Sequence, residues 1–143
     1  MLIFKRPTET EFRQVKRMVN QYNLEVETLH PEQFTILKND EKLIGFGSLR
    51  MIENYAELEC IGVAEGYRGK GWGKMIVKKL LDSGPETIWL ATDMPKFFEQ
   101  FDFVTSKQIP RELARKIGPI PETPPAKPLP KNRVRAMVFS KKK

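Results

Sequence analysis

The sequence predicts a mixed α/β (α+β) fold with a mostly antiparallel sheet, one parallel strand pair and flanking helices. Two observations support this fold class. First, β-type runs at 34–37, 43–51 and 55–63 follow one another over short polar turns, which favours antiparallel neighbours. Second, an amphipathic helix separates the run at 55–63 from another strand at 87–91, and such a connection crosses over right-handed between parallel strands.

The N-terminal half is predicted to supply a strand, a helix and a hairpin. Residues 3–5 can start a strand, and Thr8 with Glu11 forms a capping box ahead of apolar residues that recur at helical spacing. The polar segment 39–42 joins two β-type runs, so a hairpin is the simplest interpretation. The run at 55–63 is expected to extend that sheet.

The second half is predicted to begin with a helix near Trp72 that carries four apolar residues on one face: Ile76, Val77, Leu80 and Leu81. Pro95 can start a short helix through Gln100, and Asp102 can adopt the left-handed conformation after it. Residues 103–108 and 133–139 alternate like strands. Residues 118–131 between them contain six prolines and are predicted to form an extended loop before the last strand.

Composition limits the classes of protein that fit. With 143 residues the chain fits a single domain, 1–143, that can bury a core without metals or disulfides. No apolar run approaches the roughly 20 residues that span a bilayer, so no membrane partner is expected. One cysteine, and no signal-peptide pattern at 1–6, predict a cytoplasmic location. The single His30 has no neighbouring ligands, so no metal site is expected.

The net charge of +7 is concentrated at the C-terminal end. Residues 107–143 carry a net charge of +9, whereas residues 1–106 carry −2. A basic segment of this kind can bind nucleic acid or anionic surfaces, but the terminal lysines 141–143 are typical of a solvated end. The basic residues before Phe139 have no aromatic neighbours on which bases could stack, so nucleic acid is not the expected partner.

Residues 68–73 read Arg-Gly-Lys-Gly-Trp-Gly between a predicted strand and a predicted helix, and they carry the clearest functional signal. A chain that turns sharply into a helix leaves the first helical N–H groups unpaired, and the helix dipole adds partial positive charge there. Glycines let a ligand approach the backbone, while Arg68, Lys70 and Lys74 add formal charge. The pattern therefore predicts a ligand that carries phosphates.

Two better-known glycine loops do not fit this segment. A P-loop ends in Gly-Lys followed by Ser or Thr, whereas Gly73 and Lys74 are followed by Met75, and its first glycine position is occupied by Arg68. A dinucleotide fingerprint requires a third glycine three residues after Gly71, where Lys74 stands. Nucleoside triphosphate hydrolysis and NAD binding are therefore disfavoured.

Arg68, Gly71 and Gly73 fill the pattern Arg/Gln-x-x-Gly-x-Gly/Ala, and Phe-Phe-Glu-Gln-Phe-Asp-Phe follows at 97–103. In this order the two segments resemble the acyl-CoA motif and the Phe-Tyr-Glu-x-x-Gly-Phe segment of the GNAT N-acetyltransferase superfamily. The resemblance covers nearly the whole chain. Within the family, the sequence faintly resembles the branch that acetylates amino acids such as glutamate. The resemblance implies the GNAT fold, in which the parallel strand pair splays apart at the glycine turn.

The resemblance implies acetyl-CoA as cosubstrate, lying in the splay. Its pantetheine would pair with the backbone of Ile61, Gly62 and Val63. Its pyrophosphate would lie on the N–H groups of the turn and the first helical residues, namely Arg68, Gly69, Lys70, Gly71, Trp72, Gly73 and Lys74. The resemblance leaves a homodimer open.

In such enzymes an amine attacks the thioester directly, which requires a neutral amine and a donor to the developing oxyanion. The N–H of Ile61 is the candidate donor by its matching position. Glu57 and Glu59 are candidate bases, and Glu57 is favoured by position. Period-two geometry places both on the face of Ile61 unless a bulge intervenes. The alternative is that both are solvent-facing, because charged side chains usually stay exposed.

Two positions depart from the family pattern. Phe98 replaces the tyrosine with which many members protonate the leaving thiolate, and Glu65 stands where proline is common. The loss of the tyrosine need not abolish activity, since a CoA thiol can leave as the thiolate or take its proton from water. It also leaves open a non-catalytic module that binds acyl-CoA. Cys60 alternates away from Glu59 and is expected to pack in the core.

The acceptor is expected to be a small amine or an amino acid, with a protein or peptide amine as the alternative. In the resembled family the C-terminal part of the chain borders the acceptor pocket. Basic side chains there could pair with an acceptor carboxylate; they are Arg111, Arg115, Lys127, Lys131, Arg133 and Arg135.

Overall fold

The structure is a computed structural model that describes residues 1–24, 26, 29–117 and 134–141. The predicted proline-rich loop 118–131 lies outside the described residues, as do Lys127, Lys131 and Arg133. The chain divides into two compact units, Met1–Pro85 and Glu86–Lys143. The single domain 1–143 stays a prediction.

The first unit contains four strands and two helices in the predicted order. They are β1 (Leu2–Lys5), α1 (Glu9–Gln21), β2 (Phe34–Asn39), β3 (Lys42–Ile52), β4 (Tyr55–Val63) and α2 (Trp72–Ser83). The strands pair antiparallel in the order β1-β2-β3-β4. Short 3-10 turns precede β2 and follow β4, at Pro31–Gln33 and Glu65–Tyr67.

Helix α1 packs its apolar stripe against one face of this sheet. The predicted capping box is present: the Thr8 hydroxyl accepts from the N–H of Glu11, and the Glu11 carboxylate accepts from the N–H of Thr8. The helix buries Phe12, Val15 and Val19 in a cluster with the sheet residues Phe34, Ile36, Phe46 and Cys60. The sequence pattern therefore predicted both the start and the buried face of α1.

Helix α2 packs against β3 at two glycines. A Cβ atom at Gly47 would lie 2.5 Å from Cδ1 of Leu80, and one at Gly45 would lie 2.8 Å from Cδ1 of Ile76. The four apolar residues predicted for one face of α2 are all buried: Ile76, Val77, Leu80 and Leu81. Side chains at these two glycines would push the helix away, so their absence lets α2 lie directly on β3.

The second unit contains β5 (Thr87–Thr92), α3 (Pro95–Glu99), β6 (Val104–Thr105), α4 (Arg111–Ile117) and β7 (Arg135–Ser140). Its strands pair antiparallel in the order β5-β7-β6. Among the described residues, no helix is both long and apolar enough to cross a membrane.

One prediction about the second unit was wrong, and one helix was not predicted. The strand predicted at 103–108 is only two residues long, because the Ser106 hydroxyl accepts from the N–H of Gln108 and donates to its carbonyl, and this local turn ends the ladder. Helix α4 was not predicted at all. It begins after Pro110, whose carbonyl accepts the N–H of Ala114, and it buries Leu113.

Candidate active site

The glycine turn delivers the chain into α2 with an open helix start. Gly69 and Gly71 have φ angles of 80° and 84°, a left-handed conformation that other residues adopt only with strain. Gly71 is the N-cap of α2, no side chain caps the helix, and its first turn contains no acidic residue. The helix start therefore presents its first backbone N–H groups without a competing side-chain acceptor.

Three cationic side chains surround this turn. Arg68, Lys70 and Lys74 are all exposed, and Nε of Arg68 donates to the carbonyl of Val63 at 3.0 Å. Trp72 is half-buried, and its indole nitrogen is buried without a hydrogen-bond partner in the part of the chain that the structure describes. The residues predicted to bind the pyrophosphate, 68–74, thus form one continuous, positively charged segment.

The end of β4 directs alternate backbone groups away from β3. The N–H of Ala64 donates to the carbonyl of Ile44 at 2.7 Å. In an antiparallel pair the hydrogen-bonded positions alternate, so Gly62 bonds to β3 whereas the N–H and C=O groups of Ile61 and Val63 point away from it. The predicted pantetheine contact and the predicted oxyanion donor at Ile61 both require this orientation. The prediction that the backbone of Gly62 also contacts the pantetheine was wrong, because its N–H and C=O groups point to β3.

A β-bulge interrupts β4 at Glu59. Ser48 pairs with Cys60 and the next β3 residue, Leu49, pairs with Leu58, so Glu59 is an extra residue in β4. Because of this extra residue, the β4 side chains before the bulge point to the opposite face from the one that simple alternation back from Ile61 predicts. The expectation that Glu57 shares the face of Ile61 was therefore wrong: Glu57 lies on the opposite face.

Glu57 is almost completely buried, with 2% of its surface exposed. Its Oε1 lies 3.8 Å from Nη1 of Arg50, its register partner on β3. Ser48, two residues before Arg50, is also fully buried, and its hydroxyl has no hydrogen-bond partner among the described residues. The solvent-facing alternative is thus wrong for Glu57, while Glu59 is half-buried.

Sequence reasoning missed Ser48 and Arg50 as neighbours of the candidate base. Both belong to a β-type run that was predicted only as part of a hairpin. Their proximity to Glu57 depends on the register between β3 and β4, which the bulge shifts by one residue.

Cys60 packs in the core of the first unit, as expected. Burial, with a smaller contribution from the nearby Glu59 charge, raises the pKa of its thiol to about 12. The thiol therefore stays protonated at neutral pH and is a poor nucleophile.

A sequence model of the acetyltransferase (GNAT) family matches residues 3–103. The chain belongs to this family. Membership confirms the predicted resemblance and the predicted fold class. At the level of the family, it also confirms the prediction of an acyltransferase that uses acetyl-CoA. No protein of curated function matches the chain in sequence.

Several solved structures resemble this GNAT chain. N-acetylglutamate synthase from Neisseria gonorrhoeae, complexed with coenzyme A and N-acetyl-glutamate, is 14% identical with a TM-score of 0.75, over 98% of this chain and 35% of that one. The diaminobutyrate acetyltransferase of Paenibacillus lautus is 12% identical with a TM-score of 0.63, covering 98% and 95% of the two chains.

The ribosomal-protein-S18-alanine N-acetyltransferase of Escherichia coli is 16% identical with a TM-score of 0.62, covering 97% and 92%. At these identities the likeness concerns the fold. The chain spans about a third of the length of the two N-acetylglutamate synthase structures that it matches.

Within this GNAT chain, Phe98 is part of an aromatic cluster in the second unit. Its ring lies 5.0 Å from that of Phe97 and 5.7 Å from that of Phe103, measured between centroids, and 7% of its surface is exposed. Asp102 follows with the expected positive φ, 72°. The position at which many members carry a tyrosine thus contributes to packing and supplies no hydroxyl.

Proposed function

We propose that the chain is an N-acetyltransferase that moves an acetyl group from acetyl-CoA to a primary amine by direct attack in a ternary complex. One observation carries the proposal. Within residues 61–74, two outward-facing backbone positions on β4 lead into a left-handed glycine turn and an uncapped helix start. These are the donor groups that an amide-containing thioester arm and a pyrophosphate would each require.

The donor is held mainly by backbone groups in this proposal. Ile61 and Val63 pair with the pantetheine amides, while Gly62 between them keeps its backbone bonds to β3. The pyrophosphate accepts from N–H groups between Arg68 and Lys74. Arg68, Lys70 and Lys74 add charge that neutralises the phosphates. Because the turn and the helix start are fixed before binding, little conformational entropy is lost when the donor binds.

In the transfer step the amine nitrogen forms a bond to the thioester carbon, and the C–S bond then breaks to release the CoA thiolate. The N–H of Ile61 donates to the oxyanion of the tetrahedral intermediate, and a carboxylate accepts the proton that the ammonium must lose. After the attack the nitrogen carries one proton more than the amide product, and it passes this proton to water or to the leaving thiolate, since Phe98 has no proton to give.

Glu57 is the preferred base, acting directly or through water, and Glu59 is the second candidate. The burial of Glu57 supports this choice because ionisable side chains are seldom buried without a specific role. Arg50 supplies the counter-charge that a buried carboxylate needs. Glu59 is supported by its position at the bulge, two residues before Ile61.

A small amine or an amino acid is the proposed acceptor. The similar structure from Neisseria gonorrhoeae is named as an N-acetylglutamate synthase and contains N-acetyl-glutamate. The one from Paenibacillus lautus is named as a diaminobutyrate acetyltransferase and contains diaminobutyric acid. Both names support an amino acid as acceptor. Arg111 and Arg115 on α4 are exposed, and arginine is suited to bind an acceptor carboxylate. Arg115 also pairs with Glu112 at 3.2 Å, so Arg111 is the preferred candidate. The Escherichia coli structure, named for a ribosomal protein, supports the alternative of a protein amine.

A module that binds acyl-CoA without catalysis is the second candidate function. The observation that favours it is the aromatic environment of Phe98, where many family members carry a proton donor. Both functions predict acetyl-CoA binding, so binding alone does not separate them.

The experiment is a thermal shift with acetyl-CoA followed by an acceptor screen for thiol release. At a ligand concentration 100 times Kd, the stabilisation is about 2.7 kcal/mol. Amino acids, polyamines and peptides are then offered in turn. Release with a small amine supports the proposal; release with peptides alone supports the protein-amine alternative; binding without release supports the sensing module.

A further inference from the structure

Tyr22 is held rigidly at the end of α1. It is the C-cap of the helix, its N–H donates to the carbonyl of Met18 at 2.8 Å, and its side chain is half-buried. The helix itself is fixed by Phe12, Val15 and Val19 in the core. The ring of Tyr22 is therefore anchored by a helix that packs in the core, and it can hold the groups that it contacts in place.

The ring of Tyr22 contacts Arg68, the first residue of the glycine turn. The guanidinium carbon of Arg68 lies 4.4 Å from the ring centroid, and Nε donates to the carbonyl of Val63. These two contacts fix the plane of the guanidinium. Its two terminal nitrogens carry four further N–H donors, and none of these bonds to another residue in the described ranges, so they suit phosphate oxygens.

The hydroxyl of Tyr22 contacts the segment immediately before the glycine turn. It accepts a hydrogen bond from the N–H of Glu65 at 3.2 Å, at the start of the 3-10 turn Glu65–Tyr67. This donor exists only because residue 65 is not proline. One side chain thus holds the beginning of the 3-10 turn through its hydroxyl and the residue after that turn through its ring.

We propose that Tyr22 is a positioning residue that orients Arg68 and the Glu65–Tyr67 turn for the pyrophosphate of the donor. The inference rests on the proposed function, because it assumes that the glycine turn binds acetyl-CoA. Tyr22 itself does not touch the donor. Loss of its side chain therefore lowers the affinity only for ligands that contain the pyrophosphate.

The test is isothermal titration of the full chain with coenzyme A, dephospho-CoA and pantetheine. Coenzyme A and dephospho-CoA contain the pyrophosphate, and pantetheine does not. We expect Tyr22→Leu to raise the Kd of the first two ligands about five- to thirtyfold, the combined effect of one cation–π contact and one hydrogen bond. The Kd of pantetheine is expected to stay within about twofold of the wild-type value, since no contact with the pyrophosphate is involved.

A second pair of variants separates the ring from the hydroxyl. Tyr22→Phe keeps the ring and is expected to raise the Kd of coenzyme A only about threefold. Adding Glu65→Pro should restore binding in Tyr22→Phe, because the ψ of 142° at Ala64 suits a residue before proline and the ring stiffens the turn. The same addition should not restore Tyr22→Leu, in which Arg68 lacks its aromatic partner.

Phe12→Leu is the matched control, since it shortens an aromatic side chain on the same helix without touching Arg68. Equal weakening of pantetheine and coenzyme A by Tyr22→Leu would contradict the inference, as would wild-type affinity in that variant or equal weakening by Phe12→Leu. Absence of coenzyme A binding by the wild-type chain would instead contradict the proposed function, and the inference with it.

Discussion

The Oε1 atom of Glu57 lies 3.8 Å from Nη1 of Arg50, and the two side chains face each other across β4 and β3. The bulge at Glu59 creates this relationship, because it turns Glu57 to the face opposite Ile61. A buried carboxylate requires a partner of opposite charge, and Arg50 is the register partner of Glu57 on β3. We therefore propose Glu57 as the base, since it lies on the strand that leads to the proposed donor site.

Replacing Glu57 with glutamine tests the proposed base. We expect kcat to fall about a hundredfold or more, with little change in the KM for acetyl-CoA, because the amide keeps the shape but cannot accept the proton. The measurement is initial-rate thiol release at saturating acceptor. Glu86→Gln, at an exposed position in the second unit, is the matched control.

Glu59→Gln is measured beside Glu57→Gln because both carboxylates are candidates. A loss confined to Glu59→Gln would transfer the role to that residue. Losses below about tenfold in both variants would contradict a carboxylate base on β4.

Replacing Cys60 with alanine tests direct attack against an acyl-cysteine route. The thiol pKa of about 12 leaves almost no thiolate at neutral pH, so Cys60→Ala should keep kcat within about twofold of the wild-type value. Mass spectrometry of the wild-type chain with acetyl-CoA and no acceptor should detect no acetylated cysteine. A stable acetyl adduct on Cys60 that disappears when acceptor is added would refute the ternary-complex route.

Gly45→Ala tests the close packing of α2 on β3. A Cβ atom there would lie 2.8 Å from Cδ1 of Ile76 on α2 and 2.6 Å from the carbonyl oxygen of Gly62, and a backbone atom in a paired strand cannot easily shift. We expect a loss of about 1–3 kcal/mol in the free energy of unfolding, measured by urea denaturation. Gly66→Ala is the control because a Cβ atom at Gly66 meets nothing within 4 Å; equal losses in both variants would contradict this packing account.

Glu11→Gln tests an ion-pair cluster that joins α1 to the sheet. Burial acts to raise the pKa of the Glu11 carboxyl, but hydrogen bonds from Lys38, at 2.6 Å, and from Lys5 outweigh it and lower the pKa to about 2. A carboxyl with a lowered folded-state pKa stabilises the fold above its unfolded pKa, about 4.5. This contribution is lost as the pH falls from about 4.5 towards 2.

The expected result is a pH-dependent difference between the wild-type chain and Glu11→Gln. At pH 7 the variant should be about 1–2 kcal/mol less stable, because the amide can still accept from the N–H of Thr8 but forms no ion pair. The difference should narrow as the pH falls below about 4.5 and close near pH 2. Glu9→Gln, at an exposed position on the same helix, should show little difference at any pH. A gap that stays constant across the range would indicate a packing effect instead.

Local sequence signals predicted most of the fold. The Thr8–Glu11 capping box, the buried face of α2 and the bounds of β4 each depend on neighbouring residues in the chain, so spacing and periodicity were sufficient. The glycine turn was predictable for the same reason, since the left-handed Gly69 and Gly71 serve a local change of direction.

The remainder depends on interactions that a single segment does not contain. The bulge at Glu59 arises from the register with β3, and simple alternation along β4 therefore placed Glu57 on the wrong face. The contacts of Tyr22 with Glu65 and Arg68 join residues more than 40 positions apart, which no local pattern reveals. Helix α4 is short and stabilised by burial of Leu113, so it lacked a periodic signal.

The most direct test of the account is a mass balance for acetyl transfer, in which free CoA thiol and acetylated amine are both measured over time with wild-type chain, acetyl-CoA and a panel of amines. The account predicts equal amounts of thiol and acetylated amine with at least one small amine or amino acid. It also predicts a much slower reaction in Gly71→Val, whose φ of 84° a β-branched residue cannot adopt without strain. Saturable acetyl-CoA binding with no amine-dependent thiol release from any acceptor would contradict it.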